Sequence, residues 1–329
     1  MKFRVFAIAV ALVGALSTPV PSYAANSAIC VAYDTGGPGD RSFNDAVFAG
    51  IKKSQQISAF TLDSAVTDGT ASDRDKRIKA FIAKGCRMII VVGNSYAPIL
   101  APIAEEFPET QFAIINDQSI DAFNVASIVF DEKQGAFLAG VSAALSSKTG
   151  KVAMIASASQ TSTYDTGFVA GVKAAKKGVR TSIRTVTANS SSIAKSLMAT
   201  GVDVIYLATS GSADPIFEAV SAQNMQKKNR NLSQEVGLIV VEPDLYLNVT
   251  QSTAKYLLAT VVKRVDKAIV DLISMSKELP ILEVLDVKRG IYGLGYSISN
   301  KGVEIVIKSK SLANQTNAIN SIASAAFER

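Results

Sequence analysis

Histidine is absent from all 329 residues of the chain. Its absence excludes catalytic arrangements of the Ser-His-Asp and Cys-His kinds and every zinc site with a histidine ligand. A hydrolase with two carboxylates is the remaining alternative, because Asp34, Asp40, Asp117, Glu242 and Asp244 all lie at the ends of predicted strands. Their spacing selects no reactive pair. We therefore expect a protein that is not an enzyme, and no motif indicates a metal or a cofactor.

Cysteine is scarce, with only Cys30 and Cys86 in the chain. Each lies in or beside a predicted strand, where a free cysteine behaves as a small hydrophobic residue. A disulfide between them is the alternative in an oxidising compartment. Lipid attachment at Cys30 is a further alternative, since lipidated exported proteins begin at a cysteine. The bulky Ile29 and the position of Cys30 inside the first strand favour a buried structural cysteine instead.

Long apolar runs are also missing, because no segment reaches the roughly 20 residues that a membrane-spanning helix needs. The run FAIAVALVGALS near the start follows Lys2 and Arg4 and precedes small residues around Ala24 and Ala25. This pattern is typical of a secretory signal peptide. We expect residues 1–25 to be removed and the mature protein to be exported, to the cell surface, a membrane-associated position or a periplasm.

The excess of basic residues is small, with 34 Lys and Arg against 28 Asp and Glu and a formal net charge of +6. We interpret the basic residues as scattered, apart from the run KKNR at 227–230, which is typical of a solvated loop. A nucleic-acid-binding protein would concentrate them on one face. We therefore expect no nucleic-acid partner.

Short runs rich in Val and Ile alternate with segments of helical periodicity along the chain. Runs such as RMIIVVG and VDVIYLA are apolar on both faces, which is typical of parallel strands covered by helices. The predicted class is α/β, doubly wound. One series of strands ends near residue 130 and a second begins near residue 151, after the polar joint SSKTGK. This division predicts two lobes with a ligand cleft between them.

Two later segments complete the predicted elements. Residues 254–273, AKYLLATVVKRVDKAIVDLI, have the periodicity of one long amphipathic helix. The segment RGIYGLGYSIS, which contains three glycines, predicts a pair of strands.

Residues 34–50, DTGGPGDRSFNDAVFAG, combine a glycine-rich turn with the start of an amphipathic helix, for which Ser42 is the predicted N-cap. A phosphate loop needs a lysine followed by Ser or Thr, and a dinucleotide site needs G-x-G-x-x-G; the turn contains neither pattern. Asp40 would also repel a phosphate, so a neutral polar ligand fits better. Phe43 is either a core residue or a ligand contact, and Asp34 and Asp40 are either turn residues or ligand contacts.

The same stretch resembles the first strand and turn of the basic membrane protein family of bacterial substrate-binding proteins, which includes a purine nucleoside receptor. The match lies at Asp34, Gly36, Asp40, the triplet SFN at 42–44 and Gly50. Further blocks follow in the family's order, among them FPETQFAIIN, YDTGFVAGVKA, GVDVIYLA and LLATVVKRVDKAI. The resemblance spans most of the mature chain.

This resemblance implies a type I periplasmic-binding-protein fold, in which two doubly wound lobes close on a ligand and deliver it to an ABC permease. The implied ligand is a nucleoside, a purine nucleoside above all, or a similar small polar molecule, and the implied state is a monomer. The chain of such a fold crosses between the lobes three times. Carried over to this sequence, the first lobe comprises residues 27–147 and 247–282, and the second comprises 148–246 and 283–329.

The resemblance also implies which residues hold the base. The family clamps the base between two aromatic side chains, which fall on Phe43 and Tyr164, with Phe168 one turn away. Stacking of this kind contributes about 1–3 kcal/mol per base. The family's asparagine falls on Asn44 and would pair with the edge of the base. The alternative for Tyr164 is a helix residue that covers the loop.

The groups that hold the sugar are implied at the ends of later strands. Asn116 stands where the family has an aspartate, with Asp117 beside it, and Glu242 and Asp244 match two acidic positions of the second lobe. Lys263 matches the family's lysine. An Asp-to-Asn difference at one hydroxyl contact would weaken binding about tenfold.

The loop ATSGSADP differs further from the family, because it retains only Gly211 of a glycine-rich sequence. These differences leave the fold intact. They motivate an alternative function, in which a surface or interaction protein keeps the fold and has altered or lost ligand binding.

Overall fold

The computed structural model describes residues 28–157, 161–186, 190–209, 213–230, 234–243, 251–276, 285–286 and 290–327. The predicted signal peptide, residues 1–25, lies outside these ranges. Among the helices within them, none is both long and apolar enough to span a bilayer.

The described residues contain thirteen strands. In chain order they are β1 (Ala28–Tyr33), β2 (Thr61–Val66), β3 (Met88–Val92), β4 (Gln111–Ile115), β5 (Val125–Phe130), β6 (Lys151–Ala156), β7 (Arg180–Thr185), β8 (Val204–Ala208), β9 (Gly237–Glu242), β10 (Leu257–Lys263), β11 (Leu285–Asp286), β12 (Ile291–Tyr296) and β13 (Val303–Ile307).

Helices alternate with these strands. They are α1 (Phe43–Ile57), α2 (Ala71–Ala83), α3 (Ala97–Glu106), α4 (Glu132–Ser146), α5 (Thr161–Ala175), α6 (Ser190–Ala199), α7 (Asp214–Asn229), α8 (Gln251–Ala254), α9 (Val265–Met275), α10 (Lys310–Ala313) and α11 (Thr316–Phe327), and a short 3-10 helix (Asn94–Tyr96) precedes α3.

Two parallel sheets organise the molecule, as the alternating pattern predicts. The first has the strand order β11-β12-β5-β4-β3-β1-β2, and the second has the order β13-β10-β9-β8-β6-β7. Only the edge strands β11 and β13 run antiparallel to their neighbours. Every residue of β3, β4 and β8 is buried, because helices cover both faces of a parallel sheet.

The prediction of one long helix over residues 254–273 is wrong. The helix α8 ends at Ala254, β10 occupies 257–263, and α9 begins at Val265. The sequence LLATVVK of β10 contains β-branched residues that favour strands, and the strand pairs with β9 on one side and β13 on the other. The strands hydrogen-bonded to β10 on both sides stabilise its extended conformation. The periodicity of the sequence cannot reveal these neighbouring strands.

The predicted strand pair in RGIYGLGYSIS is also wrong, since these residues supply the single strand β12, whose antiparallel partner is the two-residue β11. Gly293 lies in β12 with a φ of +141°, and a Cβ there would clash with the carbonyl oxygen of Ser127 in β5. Glycine therefore allows β12 to pair closely with β5.

The chain passes between the two sheets three times, after β5, after β10 and after β12. Three strands, β10, β11 and β12, lie in the other sheet from the one predicted. Residues 247–282 were assigned to the first lobe, yet β10 pairs with β9 in the second sheet. Residues 283–329 were assigned to the second lobe, yet β12 pairs with β5 in the first sheet. The helix α9 packs against α1, so it lies with the first sheet as predicted.

Cys30 and Cys86 form a disulfide with a Cα–Cα distance of 6.0 Å. The bond ties the middle of β1 to the turn before β3. Cys30 is completely buried, and its sulfur is bonded to Cys86. This arrangement leaves no thiol on Cys30 for a lipid.

Candidate functional site

Most of the predicted site residues follow the carboxyl ends of parallel strands. In the first sheet, Asp34 follows β1 and Asn116 follows β4. In the second sheet, Glu242 ends β9 and Lys263 ends β10. Ligands of open α/β sheets bind at this edge. The topology therefore gathers residues that are more than 200 positions apart in the chain.

Asn44 anchors the glycine-rich loop to the start of α1. Its Nδ2 donates to the carbonyl oxygens of Asp34 (3.2 Å) and Thr35 (3.3 Å), and its Oδ1 accepts from the N–H of Asp34 (3.1 Å). The side chain is buried. Its amide is thus engaged by the backbone, and the predicted contact with the edge of a base stays a prediction.

Asp40 caps α1. Its carboxylate accepts from the backbone N–H groups of Ser42 (2.8 Å), Asn44 (3.4 Å) and Asp45 (3.3 Å), which are otherwise unpaired at a helix start. Ser42, the predicted N-cap, makes no side-chain capping bond. Of the two roles considered for Asp40, turn residue and ligand contact, the structure shows the turn residue.

Arg74 is a buried residue that sequence analysis missed. Its Nη2 donates to Asp34 Oδ1 (2.8 Å), its Nη1 donates to the Gly69 carbonyl (2.6 Å), and its guanidinium lies over the ring of Tyr96, 5.2 Å from the centroid. Ser95 Oγ also contacts the carboxylate of Asp34 (3.4 Å). The segment SDRDKR carries no signal for this role, because alternating charges at the start of a helix are typical of a solvated face.

Two tyrosines are buried behind this loop. Tyr96 Oη donates to the carbonyl of Tyr33 (3.0 Å), and burial raises the pKa of Tyr96 above its usual range. Burial, with the negative charge of Asp45, raises the pKa of Tyr33 to about 12. Both phenols are therefore neutral at physiological pH.

Asn116 adopts a left-handed conformation with a φ of +64°. Asparagine tolerates this conformation better than most residues, which gives a backbone reason for the amide at this position. Its neighbour Asp117 accepts from the N–H (2.8 Å) and the hydroxyl (2.6 Å) of Ser119. The carboxylate of Asp117 thus closes a local turn, and its predicted contact with a ligand hydroxyl stays a prediction.

Tyr164 and Phe168 are buried side chains of α5. The ring of Phe168 stacks on Tyr206 of β8, with the centroids 5.6 Å apart, and the ring of Tyr164 lies 6.4 Å from the same tyrosine. Both belong to the core around α4, α5 and the second sheet. The structure therefore places both rings in the core, whereas the alternative for Tyr164 was a helix residue that covers the loop. Their contact with a base stays a prediction.

Lys263 connects the elements of the site. Its side chain is only 3% exposed, and its Nζ donates to Glu132 Oε1 at 2.7 Å. The same ammonium lies over the half-buried ring of Phe43, 5.3 Å from the centroid. The Lys263 ammonium is thus the group at which the end of β10 meets the starts of α1 and α4. Sequence analysis predicted Phe43 and Lys263 and missed Glu132, which follows the N-cap Asp131.

Arg264 joins the crossing after β10 to both sheets. Its guanidinium donates to Asp266 of α9 (2.9 and 3.1 Å) and to Glu304 of β13 (3.1 Å). These bonds raise the pKa of Arg264. Burial raises the pKa of Asp266, but its bonds with Arg264 and Lys53 reverse this and hold that pKa well below its usual range. Both groups stay charged over a wide pH range.

Three of the predicted positions have no described side chain. Gly211 and Asp244 lie outside the described residues. Glu242 is the last residue of β9, paired in register with Val262, and its backbone alone is described.

The described part of the site contains an aromatic face, hydroxyls, carboxylates and cations. No group of three His, Cys, Asp or Glu side chains that could hold a metal ion occurs among the described residues. Thr209, just after β8, is buried, and its hydroxyl has no hydrogen-bond partner in the described part of the chain. An arrangement of this kind can bind a flat ring and several hydroxyl groups.

Comparison with solved structures identifies the fold. An ABC transporter solute-binding protein from Conexibacter woesei superposes with a TM-score of 0.68 at 14% identity, covering 92% of this chain and 97% of that chain. A transcriptional activator of the comK gene from Bacillus halodurans superposes with a TM-score of 0.71 at 19% identity, covering 91% and 98%. The fold is that of type I periplasmic binding proteins, as predicted.

Comparison with sequences identifies the family. A CD4+ T-cell-stimulating antigen of Listeria monocytogenes is 29% identical over 310 residues, covering 84% of this chain and 85% of that protein. An ABC transporter nucleoside-binding protein, BmpA, of Lactococcus lactis is 26% identical over 260 residues, covering 74% and 73%. The family model described as "ABC transporter substrate-binding protein PnrA-like" matches residues 29–322. Members bind a small molecule, work with a transporter permease, and are extracellular or membrane-associated. The chain therefore belongs to the PnrA-like family of ABC transporter substrate-binding proteins, which confirms the predicted family.

Proposed function

We propose that this protein captures a nucleoside, with purine nucleosides the preferred class, and delivers it to an ABC importer by closure of its two lobes. The observation that carries the proposal is the cluster of Phe43, Lys263 and Glu132. The ring of Phe43 offers a half-buried aromatic face at the carboxyl end of the first sheet. Stacking on such a face contributes about 1–3 kcal/mol and serves any base.

The polar groups around this ring suit the sugar. The Lys263 ammonium supplies donors and the Glu132 carboxylate supplies acceptors, and these two groups lie at the end of β10 and the start of α4. The unpaired hydroxyl of Thr209 offers one more buried partner. The lactococcal relative described as nucleoside-binding supports the same ligand class.

The path of the chain between the two sheets supports closure of the two lobes. A ligand that contacts groups from both sheets favours the conformation in which those groups are near each other. Three connections link the sheets, and Arg264 bonds to residues on both sides of one of them. The protein acts as a binding protein for transport, and no chemical step is part of the proposal.

The test compares Phe43→Ala with Phe123→Ala by calorimetric titration with inosine and adenosine. Phe123 is 43% exposed and lies in the loop before β5, so its substitution is a matched control. We expect F43A to weaken binding about tenfold or more at an unchanged melting temperature, and F123A to bind as the wild type does. If F43A unfolds, or if both variants bind normally, the site assignment is wrong.

The alternative function is a surface or interaction protein with altered or lost ligand binding. The observation that favours it is that Asp40, Asn44 and Asp117 are engaged by hydrogen bonds within the protein. A thermal-shift screen of nucleosides, sugars and other small polar solutes separates the two. A shift with nucleosides supports transport, and the absence of any shift supports the alternative.

A further inference from the structure

A cavity of about 240 Å³ opens at the outer edge of the second sheet. Its lining begins at Lys151, the first residue of β6, and continues along β7, which is the last strand of that sheet. The candidate ligand site lies at the carboxyl ends of the strands. This cavity, which we call the edge cavity, is therefore separate from it.

Three cations converge on the edge cavity. Lys151 and Arg180 are paired in the β6–β7 ladder, so their side chains leave the same face of the sheet. Arg180, Ser182 and Arg184 alternate along β7 and therefore share that face as well. All four residues line the cavity.

The opposite wall comes from α6 and the turn after it. Ser196 and Thr200 contribute hydroxyl-bearing side chains, and Leu197 and Val202 form a buried apolar floor. The Nζ of Lys151 donates to the carbonyl of Thr200 (2.7 Å), which holds the ammonium at the rim. The cavity thus combines cations, hydroxyls and a short apolar base.

The carboxylates of the described residues leave the positive charge of this rim unpaired. Within the described ranges, no carboxylate makes an ion pair with Lys151, Arg180 or Arg184. Asp203, near the start of β8, is buried and accepts its bonds from Ser147 and the backbone that follows it.

The surrounding segment carries the net charge of the whole chain. Residues 148–209 contain eight Lys and Arg against two Asp and Glu, while all other residues balance at 26 of each sign. The excess of basic residues therefore lies in the segment that supplies the lining of the edge cavity, and three of its eight basic residues line the cavity itself. A field of this sign attracts anions.

We propose that the edge cavity binds a phosphate group. Arginine forks and an ammonium match the oxygens of a phosphate, and the hydroxyls of Ser182 and Ser196 can donate in the remaining directions. The Thr200 hydroxyl donates instead to the carbonyl of Leu197 (2.7 Å). Cations on an edge strand also discourage pairing with another chain, but that role requires neither a concave surface nor hydroxyls on a facing helix. Two kinds of ligand carry such a phosphate group: a soluble phosphate compound and an anionic lipid headgroup.

The test titrates the full mature chain with inorganic phosphate at constant ionic strength. We compare Arg180→Gln/Arg184→Gln with Lys176→Gln/Lys177→Gln, which removes the same charge from exposed residues of the same segment that do not line the cavity. The expected result is about a tenfold or greater loss of affinity in the arginine variant and less than about threefold in the lysine variant. Absence of phosphate binding by the wild type, or an equal loss in both variants, overturns the proposal.

A second measurement needs no variant. Phosphate should shift the amide resonances of Ser182, Thr200 and Gly201 in the wild-type protein; shifts confined to other regions overturn the proposal. Vesicles of phosphatidylglycerol and of phosphatidylcholine then distinguish the sources. Sedimentation with phosphatidylglycerol alone, reversed by inorganic phosphate and lost in the arginine variant, identifies a lipid headgroup. Phosphate binding without sedimentation identifies a soluble compound.

Discussion

Asp203 illustrates how one buried carboxylate holds a turn between two elements. It accepts from Ser147 Oγ (2.6 Å), the N–H groups of Lys148 (2.7 Å) and Thr149 (2.9 Å), and Gln234 Nε2 (2.9 Å). The polar joint between α4 and β6 therefore has a fixed conformation. Burial raises the pKa of this carboxyl, but the donated hydrogen bonds outweigh it, so the pKa of Asp203 is lowered.

This lowered pKa makes the stability of the protein depend on pH. The carboxylate stabilises the folded chain above its unfolded pKa of about 3.9, and the contribution is lost as the pH falls through the folded value. We expect Asp203→Asn to cost about 1–3 kcal/mol in the free energy of unfolding at pH 7, because the new amide NH2 faces donors. The difference from wild type should shrink below about pH 4.

Urea unfolding at pH 7 and near pH 3 measures the free-energy cost of Asp203→Asn and its dependence on pH. Asp121→Asn is the control, since Asp121 is exposed, and it should change stability by less than about 0.5 kcal/mol. A difference for D203N that is equally large at both pH values would mean that the charge of the carboxylate is not its source.

At the scale of elements, the helices α4 and α5 pack closely against each other, and α4 also contacts β8, β10 and β13 of the second sheet, although residues 27–147 were predicted for the first lobe. A Cβ at Gly140 would clash with the carbonyl oxygen of Phe168, and one at Gly171 would clash with that of Phe137. The helices therefore meet backbone to backbone. This packing also explains why the matching block YDTGFVAGVKA carries glycines whose role is structural.

Gly171→Ala should destabilise the protein, even though alanine is the better helix former by about 1 kcal/mol. Because the helices must separate to admit the methyl group, we expect a net loss of about 1–3 kcal/mol. Ala170→Gly, at an exposed position of the same helix, measures the effect of helix propensity alone. It should lower the free energy of unfolding by about 1 kcal/mol. Thermal and urea unfolding report both, and a more stable G171A would show that the helices are not in backbone contact.

At the scale of the whole molecule, neither sheet is built from one continuous segment. The strands β11 and β12 return to the first sheet after β10, and β13 returns to the second. A single hydrophobic cluster includes Val31 and Ile90 of the first sheet together with Met154 and Val241 of the second. Neither sheet can therefore lose its packing without disturbing the other.

We expect the two lobes to unfold in one cooperative transition for this reason. Differential scanning calorimetry of the oxidised protein should yield a calorimetric enthalpy equal to the van't Hoff enthalpy. Two resolved transitions, or a van't Hoff enthalpy well below the calorimetric one, would show that the lobes are independent folding units.

Several features followed from the sequence by itself. The fold class and the order of elements could be predicted because burial on both faces leaves a local trace, as in β3 and β8. The glycine-rich turn and the family motifs are local as well, and they predict Phe43, Lys263 and the family. The wrong assignments, such as β10 within a predicted helix, lie where two neighbouring strands decide the conformation.

Only the tertiary structure decided which polar groups are paired and with what. It engaged Asn44 with the backbone of Asp34, brought Lys263 to Glu132 across 131 positions, and buried Arg74 beside Asp34. It also brought Lys151, Arg180 and Arg184 to the rim of one cavity. A residue's type determines which bonds it can make, whereas its neighbours in space determine which of them form, and those neighbours are set by the sheet order and the three crossings between sheets.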